Sequence, residues 1–253
     1  MFEKVECLKF REGAFVETTH EVVKEEPLAL YVNGKHFVTA MLSPEMKREF
    51  VIGHLFTEGV IRGIRDIESL RTEENIAQVI LTNPLKVFAA RKIIVSGCGG
   101  ESSFLDESKL PKIRSSVKID ADDMSLGVKS ILDSPMHKIT GGVHLVGLFD
   151  KSNCKYVPIC ISEDIGRHNA LDKVIGYGLI NNTDFERTFI ACTGRISSEM
   201  VLKCSVANIP VVASRSATTS LAIELAEKTG LCVIGFVRGE KMNVYTHESF
   251  IKV

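Results

Sequence analysis

No two cysteines in this 253-residue chain are spaced C-x-x-C, although there are seven, at positions 7, 98, 154, 160, 192, 204 and 232. The odd count and the scatter argue against a zinc ribbon and a disulfide framework, leaving most thiols reduced and acting as small core side chains. No apolar run approaches the roughly 18 residues that a membrane-spanning helix needs. The opening stretch MFEKVECLKFREG is broken by charges throughout, unlike a secretory signal. A cytoplasmic protein with no membrane partner is expected. An excess of one charge is lacking too: 31 Lys and Arg face 32 Asp and Glu. No global field draws the chain to nucleic acid, and an anionic ligand has to be held by local groups. G-x-x-x-x-G-K-S/T and G-x-G-x-x-G are absent, which removes the P-loop and the dinucleotide fingerprint.

What is present is a 45% hydrophobic composition, enough for a sizeable core. Residues 1–88 read as a smaller β-rich domain with one helix. PLALYVNGKHFVTAML carries Asn33-Gly34 between two apolar runs, a hairpin signal. A helix follows, with Ser43 as N-cap, Pro44 in the first position and Gly59 as stop; AQVILTNP is a further strand. Residues 89–253 read as a larger α/β domain, in which strands alternate with helices. RKIIV leads into a loop around Cys98. A polar stretch at 110–118 precedes a helix at 121–133, GGVHLVGLF and KYVPICIS form a hairpin, and a helix spans 167–180. RTFIACT, a helix at 197–207, IPVVAS, a helix at 218–228 and LCVIGFV make two strand-helix-strand units. The fold class is therefore α/β, or α+β overall.

Three strand-to-helix junctions, SEDIGRHNALDK, CTGRISSE and ASRSATTS, concentrate Gly, Ser, Thr and Arg. At the carboxyl ends of sheet strands, free N–H groups and helix dipoles favour anions, and Arg195 and Arg215 add charge-assisted forks. The plainer alternative is that these residues only cap helices and make surface ion pairs. His168 and Asp172 are four apart and share a helix face, as do Asn169 and Lys173; a surface ion pair is one reading of that spacing. ITGGVH places Thr140, two glycines and His144 where a strand begins; Gly141 and Gly142 permit close approach of a ligand to the backbone, and His144 is either a structural hydrogen-bonding residue or a ligand contact. Cys192, Cys204 and Cys232 have apolar surroundings and read as core. Cys98, in IIVSGCGGESS, is flanked by glycines and serines, which favours either an exposed reactive thiol or a plain loop residue.

With Cys98, TGGVH, EDIGRHNALDKVIG, TGRISSEM, SRSATTSLAIELA and GFVRGEKMNVY in this order, the chain resembles the formate dehydrogenase accessory proteins, the FdhD sulfurtransferase family. SPEMKREFVIGHLFTEGVI resembles the family's N-terminal helix region, so the likeness covers nearly the whole chain. The resemblance implies a cytidine-deaminase-like α/β domain, a homodimer, and a cysteine desulfurase as sulfur donor. It also implies delivery of persulfide sulfur to the molybdenum or tungsten bis-guanine-dinucleotide cofactor of formate dehydrogenase. Cys98 becomes the sulfur carrier. The cofactor-facing residues become Thr140, Gly141, Gly142 and His144, then Gly166, Arg167, His168 and Asn169, then Thr193, Gly194 and Arg195. Ser214, Arg215, Ser216, Thr218 and Thr219, with Phe236 and Arg238, complete the set. The family loop commonly carries C-x-x-C; here the second position is Glu101, so a single-thiol relay is expected, with Lys92 or backbone N–H groups offsetting the nearby carboxylate. Two alternatives stand beside this: a cofactor-insertion chaperone that never handles sulfur, and a zinc-dependent nucleotide deaminase. The latter lacks its H-x-E and P-C-x-x-C signatures.

Overall fold

The computed structural model describes residues 2–83, 110–152 and 155–252; Cys98, Glu101, Lys92, the predicted strand RKIIV, Asn153 and Cys154 lie outside them. Strands β1 (Phe2–Arg11) and β2 (Ala14–Val23) pair into an antiparallel hairpin with no buried residue, which the sequence reading misses. Asn33 and Gly34 take φ of 49° and 76°, the turn handedness that a tight hairpin requires, and join β3 (Glu26–Val32) to β4 (Lys35–Leu42). With β5 (Ile67–Glu73) and β6 (Ile76–Leu81) they form a sheet of order β4-β3-β6-β5. Leu28, Leu30, Val32, Ala77, Val79 and Leu81 alternate onto one face of this sheet and pack on Phe50, Val51 and Leu55 of helix α1 (Lys47–Thr57).

Helix α1 starts later than predicted, after Met46 at φ 57°. Ser43 is no cap because its polar groups are used on a distant part of the chain. Its N–H donates to Asp164 Oδ2 at 3.1 Å, its Oγ accepts from the Ile165 N–H at 3.2 Å, and its carbonyl accepts from Lys173 Nζ at 3.0 Å. Gly59 does end the helix, at φ 72°.

The second sheet contains β8 (His144–Ser152), β9 (Lys155–Asp164), β10 (Phe189–Cys192), β11 (Val211–Ser214), β12 (Cys232–Arg238) and β13 (Lys241–Val244), in the order β13-β12-β11-β10-β8-β9. β10, β11 and β12 are parallel, the two predicted strand-helix-strand units, and β8 pairs with β9 as the predicted hairpin. A short parallel pair, β7 (Ile119–Asp120) with β14 (Ile251–Lys252), lies apart. The predicted helices are α2 (Ala121–Ile131), α4 (Arg167–Ile180), α5 (Ser198–Val206) and α6 (Ser220–Thr229); α3 (Pro135–Thr140) is additional. Strand alternation makes three layers. Ile190, Cys192, Val212 and Val233 face α4, α5 and α6, while Phe189, Ala191, Val211, Ala213 and Ile234 face α2. Cys192, Cys204 and Cys232 are core residues, as expected.

Where α1 crosses α4 the two backbones touch. A Cβ on Gly53 would overlap the carbonyl oxygen of Asp172, and one on Gly176 would overlap that of Glu49. Neither obstacle is the movable end of a side chain, so Gly176→Ala must push the helices apart. We expect a loss of about 3 kcal/mol, which lowers the melting temperature by roughly 6–12 °C in a chain of this size. An unchanged thermal unfolding curve would show that the helices do not meet there.

Candidate functional site

Because β8 runs against both β9 and β10, the strands β9, β10, β11 and β12 all end at one edge of the sheet, and β8 begins there. Every described candidate residue lies along that edge: 140–144 leading into β8, 166–169 after β9, 193–195 after β10, 214–219 after β11, and Phe236 with Arg238 at the end of β12. Four arginines, 167, 195, 215 and 238, therefore share one rim.

Many of the small polar side chains are committed to building this edge. Thr193 ties β10 to β8, its N–H donating to the Leu145 carbonyl at 3.0 Å and its Oγ1 accepting from the Leu145 N–H at 3.0 Å. Ser214 Oγ donates to the Gly194 carbonyl at 2.6 Å and accepts from the Ser216 N–H at 2.9 Å. Thr218 donates to the Ile196 carbonyl, Thr219 caps α6 by accepting from the Ala222 N–H, and Thr140 Oγ1 donates back to the Met136 carbonyl. Capping, the plainer alternative at these junctions, is thus realised in Thr219. Arg195, Arg215, Phe236, Arg238, Gly141 and Gly142 are exposed along the same rim. Phe236 holds φ at 54°, rare for a bulky residue, at a register shift between β12 and β13, and the Arg238 guanidinium lies 6.0 Å from its ring centre.

Arg167, His144 and Gly194 meet at the centre of the edge. Gly194 packs against its neighbours so closely that a Cβ there would lie 3.1 Å from Arg167 Cβ and 3.2 Å from His144 Nδ1. Burial lowers the pKa of His144 and the charge of Arg167 presses it further down, against the opposing pull of Asp164. Nε of Arg167 is buried and has no hydrogen-bond partner among the described residues. An unpaired buried donor costs about 1–3 kcal/mol, which a phosphate oxygen placed there would recover. Gly194→Ala should displace Arg167 by a few tenths of an ångström with little change in melting temperature; thermal unfolding of the variant beside the parent checks this, and a large drop would show that the contact is structural.

His168 and Asp172 do not pair. Asp172 is fully buried; it takes Lys203 Nζ at 2.9 and 3.0 Å, His54 Nδ1 at 3.0 Å and Thr57 Oγ1 at 2.9 Å. Burial opposes its charge, but Lys203 and His54 prevail and hold the carboxyl below the ordinary range. His168 turns toward α5, with Nε2 3.0 Å from Ser197 Oγ and Nδ1 3.3 Å from Glu199 Oε2. Burial, then Arg167 and Lys203, push its pKa down to about 4. Asn169 and Lys173 are joined only through Asp164, a residue the sequence reading passed over. This buried carboxylate accepts from Gly166 N–H at 2.8 Å, Asn169 Nδ2 at 3.0 Å, Lys173 Nζ at 2.6 Å and Ser43 N–H at 3.1 Å. It fastens the first turn of α4 to the chain ahead of α1. The acidic residue beside the glycine turn in EDIG was the available signal, since a carboxylate two residues before a turn glycine can close the turn.

Comparison with known proteins places these features in context. The FdhD/NarQ family profile matches residues 23–252. The chain is 37% identical to the sulfur carrier protein FdhD of Bacillus pumilus, covering 96% of this chain and 95% of that one. It is 38% identical to the protein of that name from Geobacillus kaustophilus, covering 96% and 94%. A crystal structure from Desulfotalea psychrophila, assigned as a formate dehydrogenase accessory protein, superposes with a TM-score of 0.82 at 25% identity, covering 99% of each chain.

Proposed function

Because this chain belongs to the FdhD/NarQ family, we propose that it is a sulfur carrier: it receives persulfide sulfur on Cys98 from a cysteine desulfurase and presents it to the molybdenum or tungsten bis-guanine-dinucleotide cofactor destined for formate dehydrogenase. The observation that carries the cofactor half of this reading is the rim of four arginines at the ends of β9–β12, with the unpaired Nε of Arg167 among them. Two pyrophosphates need such a rim, and in the near-neutral chain it has to be local. The cofactor is cargo. Arg167 and Arg195 would hold phosphate, and exposed Phe236 offers a face for stacking guanine.

The sulfur half is a thiol exchange. The Cys98 thiolate attacks the outer sulfur of the donor persulfide, the donor's S–S bond breaks as a new one forms, and the donor cysteine leaves as thiolate, with no net oxidation. One thiol suffices, so Glu101 in place of a second cysteine does not block the transfer. The test is intact-protein mass spectrometry after incubation with a cysteine desulfurase and cysteine. A gain of one sulfur, removed by a thiol reductant, supports the reading; no gain would overturn it.

A further inference from the structure

We propose that Ser197 and Glu199 are positioning residues for the cofactor rim: they hold the His168 imidazole as its Nδ1–H tautomer and thereby fix the β9–α4 turn, which carries Arg167, against the β10–α5 turn, which carries Gly194 and Arg195. This deepens the cofactor-binding reading above, on which its binding consequence rests.

The three side chains lie in line across the two turns. Ser197 caps α5, its Oγ accepting from the Met200 N–H at 3.5 Å, so its position is set by the helix. The same oxygen lies 3.0 Å from His168 Nε2. On the other side of the ring, Glu199 Oε2 lies 3.3 Å from Nδ1. A carboxylate facing a ring nitrogen favours an N–H there, which leaves Nε2 to accept a hydrogen bond from the Ser197 hydroxyl. Nε2 then bonds to Ser197 and Nδ1 faces Glu199 within the protein, so the contribution of His168 to ligand binding is the placement of its neighbour Arg167. Gly194, packed against Arg167 Cβ, transmits the same constraint from the opposite turn.

A serine, a histidine and an acid in line also describe a nucleophilic triad, but the surroundings favour a clamp. His168 is largely buried, lies 3.3 Å from Glu199, and feels the charges of Arg167 and Lys203 against that of Asp172, with His144 also near. Its depressed pKa makes it a poor acceptor for a serine proton at neutral pH.

Two measurements test the clamp independently. Nitrogen NMR of histidine-labelled protein without ligand should show His168 as the Nδ1–H tautomer, and Glu199→Ala should lose that signature. Titration with guanosine diphosphate should be weakened about tenfold by Glu199→Ala, the lower end of the effect that outer partners of metal-ligating histidines have. Glu199→Gln, whose amide oxygen accepts the same N–H, should restore binding. An Nε2–H signal in the parent protein, or Glu199→Ala binding as tightly as the parent, would overturn the proposal. If the parent itself fails to bind guanosine diphosphate, the reading of the rim is at fault and the tautomer spectrum alone decides the clamp.

Discussion

Cys98→Ala should yield a folded protein that gains no sulfur from a cysteine desulfurase, while Cys7→Ser and Cys154→Ser load as the parent does. The argument is one of thiol chemistry, because only a thiolate attacks a persulfide. Burial pushes the Cys192 thiol up to about 11 and those of Cys160 and Cys232 up to about 12, and it raises Cys204 further still. At neutral pH, fewer than about one in a thousand of such groups is ionised. Among the described cysteines, Cys7 is the exposed one, on strand β1. Loading that survives Cys98→Ala but disappears in Cys7→Ser would move the acceptor to the hairpin. Loading in none of the proteins, with nucleotide binding intact, would leave a cofactor-insertion chaperone.

Lys203→Met should cost about 3–5 kcal/mol, because it strands Asp172 as a buried carboxylate without its main counter-charge. His54 and Thr57 still donate to Asp172, so the variant should fold at low temperature and show its deficit in urea titration. The loss should also depend on pH. The Asp172 carboxyl is held below its ordinary range in the folded state, so the unfolded chain binds the proton more readily. The pair's contribution is therefore present above roughly pH 4 and drains away as pH falls through the depressed folded value. The gap between parent and variant should narrow in acid. A gap that stays constant down to acid unfolding would mean that Lys203 stabilises by packing alone.

The α/β half was legible from local signals. Helix 167–180 follows a turn glycine and carries a continuous apolar face, and the strands after it are short apolar runs bounded by turn residues. What failed were the long-range partners. Ser43-Pro44 has the form of a helix start, yet Ser43 serves Asp164, Ile165 and Lys173, none of which local spacing reveals. The i, i+4 rule offered Asp172 to His168, but α4 is covered on several sides, so each side chain found a partner on another element. The β1–β2 hairpin was missed because neither strand buries a face, and period-two burial is what makes a strand readable. The candidate residues fell on one rim because junction chemistry marks the ends of parallel strands wherever those strands align.

The contact between α1 and α4 also sets a schedule for synthesis. His54 leaves the ribosome 118 residues before Asp172, a delay of roughly 6–24 s at about 5–20 residues per second. For that interval Gly53 and His54 have no α4 to meet, and the rim cannot assemble. Docking of the early helix onto the late one can begin only after that interval, and the edge itself is complete only once Arg238, the last of its four arginines, has followed.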